Sequence, residues 1–187
     1  MSNILKRFQH DDEAEQLESI DNAEKYLTFL IDKQYYAFHI SNINEIINMQ
    51  EITPVPEFPE YAKGIINLRG TLIPVIDVRL RFCKNEIEYN ERTCIIVLNI
   101  KEVEVGFIVD TVDEVLDIDD KNISPVPKLS NSKTRKFIRG VGKTAKKIVM
   151  ILDAEKMLND KEIKSLEVNE ADYSDVEDIK SIIDAIE

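Results

Sequence analysis

Short apolar segments separated by polar residues fill the middle of the chain, and they predict strands. The runs Tyr26–Asp32 and Tyr35–Ile40 are rich in β-branched and aromatic residues, and only Lys33 and Gln34 lie between them, which is the length of a hairpin turn. Thr93–Leu98 is apolar at successive positions, as in a strand covered on both faces. About nine runs at this spacing favour small β barrels over a layered α/β sheet.

The same pattern sets expectations for single segments. Val103–Asp110 should pair back on Thr93–Leu98, and Thr111–Ile118 should continue that meander. Pro74 lies inside another apolar run and cannot donate a ladder hydrogen bond, so we expect it at an edge or a bulge. Short helical segments are predicted at three places: the start of Ile43–Met49, ahead of a short strand; Arg79–Phe82; and Asp153–Leu158.

Charge divides the chain into a near-neutral body and two acidic ends. The net charge is −12, and the excess of Asp and Glu is concentrated in residues 1–23 and 161–187, which we predict to be extensions of a domain over residues 24–160. The first extension should be solvated chain or frayed helix. The second has aliphatic residues at helical spacing after Ser174, which predicts an amphipathic helix that packs on its own body, frays or binds a partner: Val176, Ile179, Ile183 and Ile186.

Composition excludes several classes of protein. No apolar run reaches the roughly 20 residues of a membrane helix, so we expect no direct membrane insertion. The first residues lack the pattern of a secretory signal, and two cysteines, Cys83 and Cys94, cannot form a disulfide framework. We therefore expect a cytoplasmic protein with reduced thiols.

Catalytic chemistry has few candidates. His39 lies inside a strand run and His10 in the acidic leader, so neither has the setting of a catalytic base. Cys83 and Cys94 lack histidine partners and metal-ligand spacing. We expect no enzyme activity, catalytic residue, metal site or cofactor.

A basic cluster gives an alternative to protein binding. Residues 133–147 contain seven lysines and arginines and no acid, which could indicate a nucleic-acid site. Phe137 is the one aromatic residue available there to stack on a base, and a solvated loop that faces acidic groups is the favoured interpretation. The neutral body also argues against nucleic acid as a partner.

The segment Gly64–Arg79 is more specific than any of these features. Gly64 and Gly70 bracket one predicted strand and permit tight backbone paths. Arg69 stands beside Gly70, so its guanidinium should project from a bend, where it could bind a carboxylate or carbonyl of a partner or only fix the loop from within.

This segment, GIINLRGTLIPVIDVR, resembles the hallmark of the chemotaxis coupling protein (CheW-like) family. The resemblance covers about residues 24–160 and includes Val105–Asp110, Ile123–Pro127, Ile138–Gly142 and Met150–Leu158 in the same order. It implies two intertwined five-stranded SH3-like barrels with a few short helices, and a mostly β adaptor between the cytoplasmic tip of chemoreceptors and the regulatory domain of a chemotaxis histidine kinase, recruited to receptor arrays at the inner face of the membrane.

The family also implies a receptor site, whose matching positions are Ile43, Glu45, Gly64, Arg69 and Val112. Kinase contacts are expected at the ends of both barrels, and no residue can be assigned to them from the motif. One alternative is a coupling domain from a longer adaptor that carries a phosphoryl-accepting receiver, and another is the nucleic-acid protein considered above.

Overall fold

Two β sheets form the body of the protein. The computed structural model describes residues 23–56, 58–126 and 133–158, so the leader before residue 23 and the helix predicted beyond residue 161 lie outside the described residues. By internal contacts the chain divides into units 1–157 and 158–187, and both sheets belong to the first.

The first sheet contains six strands in the order β8-β1-β2-β11-β10-β9. All neighbours are antiparallel except β2 and β11, which are parallel. The strands are β1 (Ala23–Ile31), β2 (Gln34–His39), β8 (Thr111–Asp119), β9 (Ile123–Ser124), β10 (Ile138–Lys143) and β11 (Ile148–Leu152).

The second sheet contains five strands in the order β3-β6-β7-β5-β4. Only the β5–β7 pair is parallel. The strands are β3 (Ile43–Asn48), β4 (Ala62–Leu68), β5 (Thr71–Asp77), β6 (Cys94–Ile100) and β7 (Val103–Val109).

The chain starts in the first sheet, builds the whole second sheet and returns to finish the first. The predicted pairing of Val103–Asp110 with Thr93–Leu98 is confirmed by the β6–β7 ladder. The prediction that Thr111–Ile118 continues this meander is wrong, because β8 crosses over and pairs with β1. Alternation of apolar residues identifies a strand but carries no information on its partner.

Each sheet has its own apolar interior, and aromatic rings join the two sheets. Tyr26, Ala37 and Ile151 belong to the first interior. Phe38 of β2 and Phe107 of β7 contact each other with ring centroids 5.6 Å apart and are both fully buried. The two sheets therefore share a core, as the family resemblance implied.

Short helices and turns differ in detail from expectation. A four-residue helix α1 (Val78–Arg81) begins one residue before the predicted turn, and α2 (Ala154–Met157) confirms the helix after Asp153. The helical turn expected at the start of Ile43–Met49 is instead a 3₁₀ turn over Ile40–Asn42, and β3 begins directly at Ile43.

The structure has more strands than the sequence pattern predicts, and Pro74 lies at a local edge of its sheet. The described residues form eleven strands rather than about nine, and the extra β9 makes the first sheet six-stranded. Two residues are too few for an alternating pattern to show. Pro74 pairs with β4 on one side, while β7 joins β5 only from Val75, so the strand is locally an edge there.

Candidate protein-binding site

Arg69 lies at the tip of the hairpin formed by β4 and β5. Arg69 and Gly70 form the two-residue turn with φ values of 55° and 93°, as a type I′ turn requires. The side chain of Asn67 accepts a hydrogen bond from the Gly70 amide at 2.8 Å and closes the turn. The left-handed conformation is unfavourable for arginine, and it projects a side chain that is 77% exposed.

Glu45 is the partner of Arg69. The guanidinium donates from Nη1 to Oε1 at 3.0 Å and from Nη2 to Oε2 at 2.9 Å. Glu45 comes from β3, and β3 and β4 are the two edges of the second sheet, so the pair links opposite edges of one sheet. Two of the five N–H donors of arginine are used in this pair, and the others remain on the exposed side chain.

The structure separates the other predicted receptor residues. Ile43 is close to Glu45, at the start of the same strand, where a register shift interrupts pairing with β6. Val112 belongs to β8 of the first sheet, and its backbone hydrogen-bonds the thiol of Cys94. Cys94 pairs with Asn48, so Val112 lies near the opposite end of β3 from Ile43.

Gly64 is buried, and the backbone packed against it explains why this position is glycine. Its φ is 141°, and a Cβ added there would lie 2.1 Å from the carbonyl oxygen of Thr53. Thr53 and Ile65 exchange backbone hydrogen bonds at 2.8 and 2.9 Å, which hold the proline-containing loop against β4. Gly64 thus allows this close approach and is not an exposed contact.

The other end of the Gly64–Arg79 segment is buried. Asp77 is 1% exposed and caps α1, since its Oδ1 accepts from the amides of Arg79 at 2.7 Å and Leu80 at 3.2 Å. Its Oδ2 accepts from the Tyr89 hydroxyl at 2.8 Å. Burial and this bond to a carboxylate raise the pKa of Tyr89 well above its usual value.

Arg79 forms a second bidentate ion pair, with Asp110. Nε and Nη2 each donate at 2.6 Å, and the side chains are 12% and 18% exposed. The hydrogen bonds that Arg79 donates to the Asp110 carboxylate raise the pKa of Arg79. Asp110 also accepts from the amide of Asp32 at 2.8 Å, so the pair joins the β1–β2 turn, α1 and the crossing from β7 to β8.

Asp110 and Asp32 were not singled out as functional residues from the sequence. Asp110 ends the run Val105–Asp110 that resembles the family, and this was the only indication in the sequence that the residue matters. No local pattern indicated that Arg79 would be its partner. Both residues serve the fold, since they link elements of the two sheets.

Of the residues considered for catalysis, His39 packs against its neighbours and Cys94 is buried. The Nδ1 of His39 lies 2.6 Å from the hydroxyl of Ser41, and its ring packs edge-on against Tyr26. Cys94 is buried, which raises its thiol pKa, whereas Cys83 is exposed. Within residues 23–56, 58–126 and 133–158, no group of His, Cys, Asp or Glu side chains could hold a metal ion.

One lysine of the basic cluster, Lys147, pairs with acidic side chains from another strand of the same chain. Lys147 contacts the carboxylates of Asp113 and Glu114, and it is 11% exposed. Phe137, the residue proposed to stack on a base, is 2% exposed and packs on Phe82. No single-stranded nucleic acid could reach that ring, so the geometry removes the aromatic part of the alternative.

Comparison with known proteins decides the family. The chain matches the model of the CheW-like domain over residues 25–162. The chain belongs to the CheW-like family. It is 31% identical over 140 residues to the chemotaxis protein CheW of Klebsiella aerogenes, covering 75% of this chain and 84% of that protein. For the chemotaxis protein CheW of Thermotoga maritima the identity is 36% over 140 residues, with 74% and 89% covered.

A solved member of the family shares the fold. The scaffolding protein TtCheW from Thermoanaerobacter tengcongensis is 35% identical and superposes with a TM-score of 0.70, covering 75% of this chain and 97% of that one. The SH3-like, mostly β fold expected from the resemblance is thereby confirmed. The CheW-like family is one of non-catalytic scaffolds, and membership supports a chemotaxis adaptor over the receiver-bearing and nucleic-acid alternatives.

The helices of the structure bear on whether the chain crosses a membrane. None of the helices in the described part of the chain is both long enough and apolar enough to cross a bilayer.

Proposed function

We propose that this protein is a cytoplasmic adaptor that places a chemotaxis histidine kinase under the control of transmembrane chemoreceptors. In this proposal the receptor tip binds at Arg69 and Glu45, with Ile43 and Val112 at the two ends of β3, and recruits the adaptor to receptor arrays. The regulatory domain of the kinase binds elsewhere, and we assign no residues to that contact. Gly64 contributes by holding the Thr53 loop in place.

The observation that carries the proposal is the exposure of the Arg69 side chain in a motif whose other charged and close-packed positions are buried or mostly buried. Gly64 and Asp77 are buried and Arg79 is mostly buried, each with a structural partner. Arg69 is 77% exposed on a strained turn that would suit glycine or asparagine better. An exposed arginine with donors to spare at a rigid hairpin tip is a suitable anchor for a protein partner.

The test is equilibrium binding of the full chain to a soluble fragment of a chemoreceptor tip. Arg69→Glu should weaken binding by roughly 5- to 150-fold, which corresponds to the 1–3 kcal/mol typical of an interface arginine. Its unfolding midpoint should stay close to that of the unsubstituted chain. The control is Lys143→Glu, which makes the same charge change at an exposed lysine of the first sheet.

A charge swap separates a partner contact from an internal clasp. Arg69→Glu combined with Glu45→Arg keeps the ion pair between the sheet edges but reverses the charges that face solvent. If Arg69 contacts the receptor, the double variant should bind as weakly as the single one. Full recovery of binding in the double variant would mean that Arg69 only fixes its own loop.

A further inference from the structure

His39 ends β2 and caps the 3₁₀ turn Ile40–Asn42, which carries the chain from the first sheet to the second. Its Nδ1 accepts a hydrogen bond from the Ser41 amide at 3.2 Å and lies 2.6 Å from the Ser41 hydroxyl. An imidazole nitrogen accepts a hydrogen bond only when it carries no proton. The cap therefore requires neutral His39, with its proton on Nε2.

The other nitrogen of His39 faces a carboxylate. Nε2 lies 3.7 Å from Oε2 of Glu24 on β1, and a carboxylate at this distance favours the charged imidazolium form. The same oxygen of Glu24 accepts from the Tyr26 hydroxyl at 2.6 Å, and the Tyr26 ring packs edge-on against His39. The partners of the two ring nitrogens thus favour opposite protonation states.

The other charged groups around this ring come from neighbouring strands. From β10, Nη1 of Arg139 lies 4.0 Å from Oε2 of Glu24. Asp153 follows β11, the strand parallel to β2, and its carboxylate pairs with Lys156 at 2.7 Å. Burial and the hydrogen bond to Glu24 raise the pKa of Tyr26 well above its usual value, so its hydroxyl stays protonated near neutral pH. Among these side chains, histidine is the type whose charge ordinarily changes between pH 5 and 8.

A second 3₁₀ turn, Asp120–Asn122, shows that a side-chain cap is an added restraint. This turn follows Asp119, whose side chain makes no capping hydrogen bond. The backbone angles at His39 and Asp119 are nearly the same, with φ of −64° and −67° and ψ of 136° and 144°. Asp120 of this turn also adds negative charge near Tyr26. The bond from the Ser41 amide is therefore one that the first turn can lose without unfolding.

The capped turn leads directly into β3. The Ile43 amide donates to the Ile40 carbonyl and closes the turn. The register of β3 on β6 shifts between Ile43 and Glu45, so regular ladder pairing is interrupted where β3 begins. The turn therefore helps to fix the start of the strand that carries Glu45, the partner of Arg69.

We propose that His39 is a pH-responsive cap whose protonation releases the turn before β3 and weakens receptor binding. One proton from solvent adds to Nδ1, Nε2 keeps its own proton, and the ring exchanges the Ser41 amide for a stronger attraction to Glu24. The exposed Ser41 amide is left to water. This inference rests on the proposed function, because the affected strand carries Ile43 and Glu45.

The first test is NMR spectroscopy of the full chain without a partner. At pH 8 the imidazole ¹⁵N signals of His39 should show an unprotonated Nδ1, and the Ser41 amide signal should shift together with the ring between pH 8 and pH 6. The Lys121 amide, at the same position of the second turn, is the control and should not shift. A protonated Nδ1 at pH 8, or a Ser41 amide that does not follow the ring, would overturn the cap.

Glu24→Gln tests the other partner of the ring. Without the carboxylate the imidazolium loses its attraction, so the midpoint of the Ser41 amide shift should move to lower pH. An unchanged midpoint would remove Glu24 from the switch.

The second test is equilibrium binding to the receptor-tip fragment at pH 8 and pH 6. His39→Asn keeps an oxygen that can cap the turn but does not titrate. On acidification the unsubstituted chain should lose about threefold more affinity than His39→Asn, as expected for the loss of a capping hydrogen bond. Titration of the fragment itself affects both proteins equally. His10→Asn, at the other histidine of the chain, should behave as the unsubstituted chain does.

The outcomes separate this inference from the proposed function. If Arg69→Glu weakens binding at pH 8 but the unsubstituted chain and His39→Asn lose equal affinity on acidification, the cap has no role in binding and the adaptor proposal stands. If Arg69→Glu binds normally at pH 8, the receptor site itself is wrong. If His39→Asn fails to fold, the NMR titrations of the unsubstituted chain and Glu24→Gln still decide whether the cap is released.

Discussion

Arg69 and Arg79 belong to one hallmark segment and each forms a bidentate ion pair with a carboxylate, yet they differ in their surroundings. Arg69 pairs with Glu45 at an exposed hairpin tip, and Arg79 pairs with Asp110 where the chain crosses between sheets. Their side chains are 77% and 12% exposed. Burial therefore separates an arginine that maintains the fold from one that is available to a partner.

The largest effect should come from removing the buried arginine. Arg79→Met should lower the free energy of unfolding by about 3 kcal/mol, because Asp110 is left charged and mostly buried without its partner. Arg69→Met, the matched change at the exposed pair, should cost about 0.5 kcal/mol or less. Urea unfolding followed by circular dichroism gives both values, and similar losses for the two variants would remove the distinction.

The two glycines that bracket β4 offer the next test. Gly64→Ala should destabilise the protein by at least about 2 kcal/mol, because its φ of 141° is a glycine conformation and the new methyl would meet the Thr53 carbonyl. Gly70→Ala should cost only about 1 kcal/mol, since its φ is 93° but no atom lies within 4 Å of the added carbon. Thermal unfolding of both variants measures the difference. A larger loss at Gly70 would contradict the assignment of Gly64 to close packing.

Alkaline pH should lower the stability of the protein through Tyr89, which bonds Asp77 at the buried end of the Gly64–Arg79 segment. This loss should be smaller than those caused by Arg79→Met and Gly64→Ala. The pKa of Tyr89 is raised in the folded state by burial and by its bond to Asp77, so the stability it contributes is complete below the ordinary tyrosine pKa of 10.0 and is lost as pH rises above it. The loss should reach at most about 1.4 kcal/mol per pH unit. Urea titrations from pH 9 to 11 would show a shallower slope in Tyr89→Phe, and an unchanged slope would argue against this role.

The sequence was most informative where the cause of structure is local. The apolar residues at successive positions of Thr93–Leu98 predicted a strand covered on both faces, and β6 is buried at nearly every position. Because Gly70 directly follows Arg69, the sequence predicted a bend there, and the two residues do form the turn of the β4–β5 hairpin. Local propensity and turn chemistry determine such elements before the rest of the chain is known.

Long-range partners were beyond the reach of the same reasoning. Arg79 and Asp110 are far apart in sequence, as are Gly64 and the Thr53 carbonyl that it approaches in space. The register of β8 on β1 shifts between Val112 and Val115, where Thr28 and Lys147 contact Glu114, and the apolar pattern gave no sign of this shift. For the candidate site, the resemblance named the residues, and the structure divided them into exposed and buried.

The path of the chain has a consequence for how the protein is made. The first sheet combines β1 and β2 with strands that end at Leu152, while the second sheet lies entirely between them in sequence. On the ribosome, the second sheet can be complete while the β1–β2 pair still lacks β8 and β11. Tyr26 and Ala37, which pack with Ile151 of β11, lack that cover during the interval. The slow closure of these distant pairings, rather than any single contact, should set the rate at which nascent chains become aggregation-resistant.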